Sequence, residues 1–154
     1  MIKLELDGAQ QTILNLQGFG VTLREALNRS MTRVVIKLQA FIRTHTLKGG
    51  HPLNQRSGNL SRAITYDVEI ESNKVTGIVG VDKTAPYGKV HEYGGTFNIR
   101  QHLSTSKNGI RFLVKSHKAT YPERSFLRSA LSANESMIVE EISKGIQRAI
   151  KGRV

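Results

Sequence analysis

Leu23, Leu27, Met31, Val34, Val35, Leu38, Phe41 and Ile42 recur at spacings of three and four. That period places them on one broad stripe of a helix from about Thr22 to His45. A stripe of this length cannot stay wet, because each Å² of apolar surface left in water forgoes about 25 cal/mol. The chain must therefore supply a sheet or a second helix to cover it. Thr22 and Glu25 stand three residues apart at the stripe's beginning, the spacing of a capping box in which each side chain satisfies a free amide. A second box, Ser132 to Glu135, precedes a second stripe formed by Met137, Ile138, Ile142, Ile146, Ala149 and Ile150. It predicts a helix over about 133–151, with Glu140 and Glu141 near its start and Lys144, Arg148 and Lys151 near its end, the order that the helix dipole favours.

The cover is predicted to be a sheet. Ile64, Tyr66, Val68 and Ile70 alternate with Thr65, Asp67, Glu69 and Glu71, the period of a half-buried strand with an acidic wet face. A turn at Ser72-Asn73-Lys74 leads to residues 75–81, where Val75, Val79 and Val81 share a face and Gly77 is a candidate bulge. Residues 2–6 alternate in the same way. Phe97, Ile99 and Leu103 suit another strand, and Asn108-Gly109 reads as a two-residue hairpin turn into residues 110–115. The expected fold is α+β: an antiparallel sheet of about four strands packed by a long N-terminal and a C-terminal helix. A chain of 154 residues accommodates this as one domain over 1–154. The stretches near 46–59 and 104–109 combine glycine with small polar residues, and both are expected to be flexible until an assembly orders them.

With no cysteine, the chain can form neither a disulfide nor a thiolate metal site. The first residues do not form the apolar block of a signal peptide, and no run is long and apolar enough to span a bilayer, so a soluble protein without membrane partners is expected. The formal net charge of +11 points to nucleic acid or an acidic protein surface as partner, or simply to a solvated basic face. From Lys83 to Lys118 the single acid Glu92 stands among seven lysines and arginines. Arg29, Arg33 and Lys37, four apart on the first helix, together with Arg100, Lys107, Arg111 and Lys115, are the candidate contacts to DNA or an acidic partner.

Between the strand-like regions lies Pro86-Tyr87-Gly88-Lys89-Val90-His91-Glu92-Tyr93-Gly94-Gly95-Thr96-Phe97, a short helical turn ended by a glycine pair that can take positive φ. Glu92, set among aromatics, needs a partner, and Arg124 is the expected one, with Phe126 and Leu127 beside Tyr87 and Tyr93. His91-Glu92 lacks the second histidine of a metal-binding helix. His91, Glu92, His102, His117 and Asp82 match no metal motif, and no glycine loop is spaced to cradle phosphate. No catalytic, cofactor-binding or metal residue is assigned.

Three segments carry a family resemblance: Arg56-Ser57-Gly58-Asn59-Leu60 with Ala63-Ile64, then Tyr87-Gly88-Lys89-Val90-His91-Glu92-Tyr93-Gly94-Gly95, then Tyr121-Pro122-Glu123-Arg124-Ser125-Phe126-Leu127 with Ala130-Leu131. In this order, between two amphipathic helices, they resemble the tail-completion and head-to-tail joining proteins of long-tailed bacteriophages, also labelled virion morphogenesis or tail-component proteins. Ser57 stands where such proteins often carry threonine, and Ser125 where they often carry proline. The resemblance implies a non-enzymatic subunit of the phage neck or tail end, without cofactor, that assembles in the host cytoplasm and resides in the virion. It implies a ring, expected to be hexameric, that meets tail-terminator or tail-tube and head-connector proteins, with DNA passing through. Its structural or interface residues would be Arg56, Gly58, Leu60, Tyr87, His91, Glu92, Tyr93, Gly94, Gly95, Tyr121, Pro122, Arg124, Phe126 and Leu127. The alternative from charge alone is a free-standing basic nucleic-acid-binding module.

Overall fold

Helix α1 (Gly20–Phe41) runs without interruption into a π-helical turn, Ile42–Thr46, closed by the Leu47 amide donating to the Ile42 carbonyl. The computed structural model describes residues 4–5, 20–48, 53, 58–71 and 74–151. Because α1 is already helical at Gly20, Thr22 lies inside its first turn and not at the cap position that the Thr22–Glu25 spacing predicts. The stripe itself is where it was expected. Val34, Val35, Leu38 and Ile42 are fully buried, and Leu23 and Met31 nearly so.

One face of α1 covers a three-stranded antiparallel sheet ordered β1 (Leu4–Glu5), β3 (Val75–Val81), β2 (Ile64–Ile70). The fold class is α+β. Between β2 and β3 the register is unbroken, with Val68 opposite Gly77, so Gly77 is not a bulge. Its role is proximity: a Cβ there would lie 2.6 Å from Met31 Sδ and 2.7 Å from Val35 Cγ1, so its hydrogen lets α1 approach the sheet.

Helix α5 (Glu135–Lys151) packs chiefly along α1 and meets the sheet through Val68 and Val75, which join Met31, Val34 and Ile138 in one apolar cluster. Ser132 falls within the preceding helix α4 (Phe126–Ala133), so the second box is not a cap either; the chain turns from α4 into α5 at Asn134, whose side-chain amide donates to the Ala130 carbonyl. The α1–α5 crossing is tight at one point. A Cβ on Gly145 would fall 1.8 Å from Ser30 Oγ, and Ser30 is buried. Although alanine is the better helix former by about 1 kcal/mol, Gly145→Ala is expected to destabilise the subunit by roughly 1–3 kcal/mol through overpacking. Ser30→Gly should recover part of that loss in urea unfolding, and equal losses with and without it would refute the contact.

The main core gathers Val35, Leu38, Ile42, Leu47, Leu60, Val79, Phe126 and Leu127. Leu47 and Leu53 were not expected there. Both come from the stretch read as glycine with small polar residues, and Leu53 also donates its amide to the Thr46 carbonyl at 3.3 Å. The remainder of 46–59, Arg56 included, lies largely outside the described residues.

Beyond the core, residues 95–121 form one long hairpin arm, so the sheets are more than the single one of about four strands expected. Strand β4 (Gly95–Ile99) pairs with β7 (His117–Tyr121), and β5 (His102–Thr105) with β6 (Arg111–Val114). Both pairs share one register: Gly95 faces Tyr121, Ile99 faces His117, His102 faces Val114 and Thr105 faces Arg111. The two short ladders are therefore successive parts of a single ribbon about 35–40 Å long. Its tip is a three-residue loop, not the two-residue turn that Asn108-Gly109 suggests. Ser106 donates to the Ile110 carbonyl at 2.8 Å, Gly109 donates back to the Ser106 carbonyl at 3.0 Å, and Gly109 takes φ +80°, the left-handed position that such loops need.

Candidate subunit-contact site

The three segments that carry the family resemblance converge at the root of this arm. Short helix α3 (Gly88–Tyr93) starts against the first: Leu60, buried in helix α2 (Asn59–Arg62), is so close to Gly88 that a Cβ there would sit 3.1 Å from Leu60 Cδ1. Gly58, at φ +72°, provides the left-handed turn into α2. At the far end of α3 the chain turns through Gly94 and enters β4 at Gly95, directly opposite Tyr121 of the third segment.

Glu92 is the point where the second and third segments join. Its residue is 0% exposed, and its carboxylate lies at the N-terminus of α4. Oε2 accepts from the Leu127 amide at 2.8 Å, and Oε1 accepts from the Arg128 amide at 3.1 Å and from Arg128 Nε at 3.2 Å. Leu127 and Arg128 are the second and third residues of the helix, whose amides have no partner within it. Ser125, at the cap position, makes no side-chain capping bond. A carboxylate 33 positions upstream of the cap residue thus does the capping, with the positive end of the helix dipole aimed at it.

The expected pair with Arg124 is not formed. Arg124 is exposed; its amide donates to the His91 carbonyl at 2.8 Å, and the guanidinium that reaches Glu92 belongs to Arg128. Arg128 closes the joint from outside. Its Nη2 donates to the Glu92 carbonyl at 3.1 Å and to Glu123 at 2.5 Å, and its guanidinium lies 5.2 Å from the centre of the Tyr93 ring. The hydrogen bond from Arg128 to Glu92 raises the guanidinium pKa still further, so it stays charged. Charge alone does not single out Arg128, because Arg124 lies one helical turn before it. The available signal was a lone acid paired with an uncapped helix start, whose first amides fall at 127 and 128.

Nor do the aromatics form one cluster with Phe126 and Leu127. Those two are fully buried in the core, whereas Tyr87 and Tyr93 are 40% and 49% exposed. Tyr87 meets the His91 ring edge-on at 6.0 Å, and Phe97 meets Tyr121 at 6.0 Å at the base of the arm. Pro122 is exposed, ahead of the helix and not in its first turn.

His91 has its pKa lowered from 6.5 by burial and, second, by the positive charge of Arg124. Between that lowered value and 6.5 the unfolded chain binds more protons at this site than the folded one does, so its contribution to stability declines as the pH falls below 6.5. Unfolding curves between pH 7 and 5 should show this decline, and His91→Gln should flatten it. An unchanged slope would place the titration elsewhere.

The basic candidates divide into two groups. Arg33 Nη1 and Lys37 Nζ lie 3.4 Å and 2.6 Å from the Glu141 carboxylate of α5, and Arg29 lies 3.7 Å from Glu25. The acidic side chains that this helix face was expected to track thus include those of its own chain, and the Lys37 contact holds Glu141 below the usual carboxylate range. Arg100, Lys107, Arg111 and Lys115 are all exposed on the arm. The histidines and Asp82 do not assemble. His102 and His117 lie along the arm, their rings hydrogen-bonded to the Arg100 and Lys115 carbonyls, and Asp82 is engaged by Thr84. Among the described residues no three His, Cys, Asp or Glu side chains are placed to hold a metal ion, and no helix is long and apolar enough to cross a membrane.

No family model, curated protein or solved structure matches the chain.

Proposed function

We propose that the chain is a structural, non-enzymatic subunit of the neck or tail end of a long-tailed bacteriophage or prophage. It assembles with copies of itself into a ring, hexameric by the family resemblance, that completes the tail and helps join it to the head-connector proteins, and it resides in the virion. The observation that carries this reading is the convergence of the three resembling segments on one joint, Leu60 against Gly88 and Glu92 against α4, from which a long exposed arm projects. A joint of this kind fixes the direction of an arm. An arm with a fixed direction suits a subunit that must meet its neighbours at a constant angle around a closed ring. Negative-stain images of the purified protein, alone and with tail tubes, test it: rings that cap tube ends are expected, and monomers that leave the tubes bare overturn it.

The second reading, a basic nucleic-acid-binding module, draws on the acid-free arm. Its signature is duplex binding by the isolated monomer that weakens steeply with salt.

A further inference from the structure

The arm leaves the body with apolar side chains bare on both faces. Leu103 and Leu113 are cross-strand partners on one face, 70% and 52% exposed; Ile110 and Phe112 are exposed on the other. Between Gly95 and Tyr121 stand Arg100, Lys107, Arg111, Lys115 and Lys118 and no acid. Among the described residues both ribbon edges are without a further strand. What covers such an arm must offer apolar surface, acidic groups and a free strand edge together.

Among the described residues β2 offers all three. It is an outer strand of its sheet. The Ile64 carbonyl accepts from Gln39 and Arg43, and the Val68 amide donates to the Asp67 side chain at 2.8 Å; neither is bonded to a strand. Ladder groups alternate between the two sides of a strand, so the backbone groups of Tyr66 and Ile70 share that outward edge. The side chains of Tyr66 and Ile70 are exposed as well, and Asp67, Glu69 and Glu71 alternate with the apolar positions.

We propose that the arm of one copy docks along the β2 edge of a second copy, with its residues 111–118 extending the sheet. Arg111 or Lys115 draws the Asp67 carboxylate off the Val68 amide, which frees that amide for the incoming strand. This is β-strand addition made specific by charge. It rests on the self-assembly reading above and assigns the surfaces.

The absence of cysteine makes the test clean. Sedimentation velocity compares the wild-type chain with the Leu103→Ser/Leu113→Ser variant, whose fold is checked by circular dichroism. The variant is expected to self-associate at least about tenfold more weakly. In parallel, Asp67→Cys protein is mixed with Arg111→Cys, Leu113→Cys or Lys115→Cys protein and oxidised. A mixed disulfide is expected for at least one pair, above the level given by Ser143→Cys on the exposed face of α5. An oligomer that survives the double substitution and gives no cross-link to position 67 overturns the arm–β2 contact and leaves the ring standing. A wild-type chain that stays monomeric overturns both, and if that monomer binds duplex DNA through the arm, the nucleic-acid reading takes their place.

Discussion

Glu92→Ala is expected to destabilise the subunit by about 3–5 kcal/mol, and the isosteric Glu92→Gln by about 2–3 kcal/mol. The alanine variant strips the carboxylate acceptor from the Leu127 and Arg128 amides at the start of α4 and leaves a void where a fully buried side chain stood. The glutamine variant keeps the volume and can keep one bond, to Leu127. Its NH₂ group, however, then faces the Arg128 amide and Nε, donor against donor. Arg128→Lys should be milder than either, since an ammonium still neutralises the carboxylate but cannot also reach the Glu92 carbonyl, Glu123 and the Tyr93 face. Arg124→Lys should leave stability near wild type, because the contact that Arg124 makes here is through its backbone. Urea unfolding at one fixed protein concentration ranks the four. If Arg124→Lys proves more damaging than Arg128→Lys, Glu92 has been assigned the wrong partner.

That ranking also shows where the sequence is legible and where it is not. Periodic elements can be read, since Leu23 to Ile42 and Ile64 to Ile70 each repeat a spacing that a single backbone geometry satisfies. The importance of Glu92 was readable from charge: an isolated acid among bases and aromatics must find a partner. Which arginine it meets was not, because 124 and 128 differ by one helical turn and the choice depends on where α4 begins. No capping side chain marks that beginning, since the cap comes from Glu92 itself. β7 was missed for a related reason. His117-Lys118-Ala119-Thr120-Tyr121 has only Ala119 and Tyr121 as alternating apolar positions, too short a pattern to mark a strand, and its pairing follows the register set at the distant Gly109 loop. Gly77 carried a signal with two meanings, bulge or close approach, and only the position of α1 decides between them.

Gly94→Ala is expected to be as damaging as the loss of Glu92, about 3–5 kcal/mol, although it removes no interaction at all. Gly94 sits at φ +62° and ψ −163°, a region that is essentially glycine's alone and costs other residues roughly 1–3 kcal/mol. A Cβ built there would also lie 2.6 Å from the Glu123 amide nitrogen and 2.8 Å from the Tyr121 carbonyl oxygen. Both are backbone atoms, which cannot rotate aside as a side chain can, so the segment leading from β7 into α4 must shift and overpacking of about 1–3 kcal/mol adds to the strain. Gly109→Ala provides the control. Its φ of +80° also disfavours alanine, but nothing lies within 4 Å of the added methyl, so it should lose only the conformational part, about 1–2 kcal/mol. The displaced segment holds the Arg124 amide bonded to His91 and the Glu123 carboxylate bonded to Arg128, so Gly94→Ala pushes apart the same α3–α4 joint that Glu92 pulls together. The two substitutions should therefore combine less than additively: once Gly94→Ala has opened the joint, Glu92→Gln has less left to lose. Full additivity in the double variant would mean that the glycine corner and the buried carboxylate stabilise separate parts of the fold, and that the arm's direction does not depend on both.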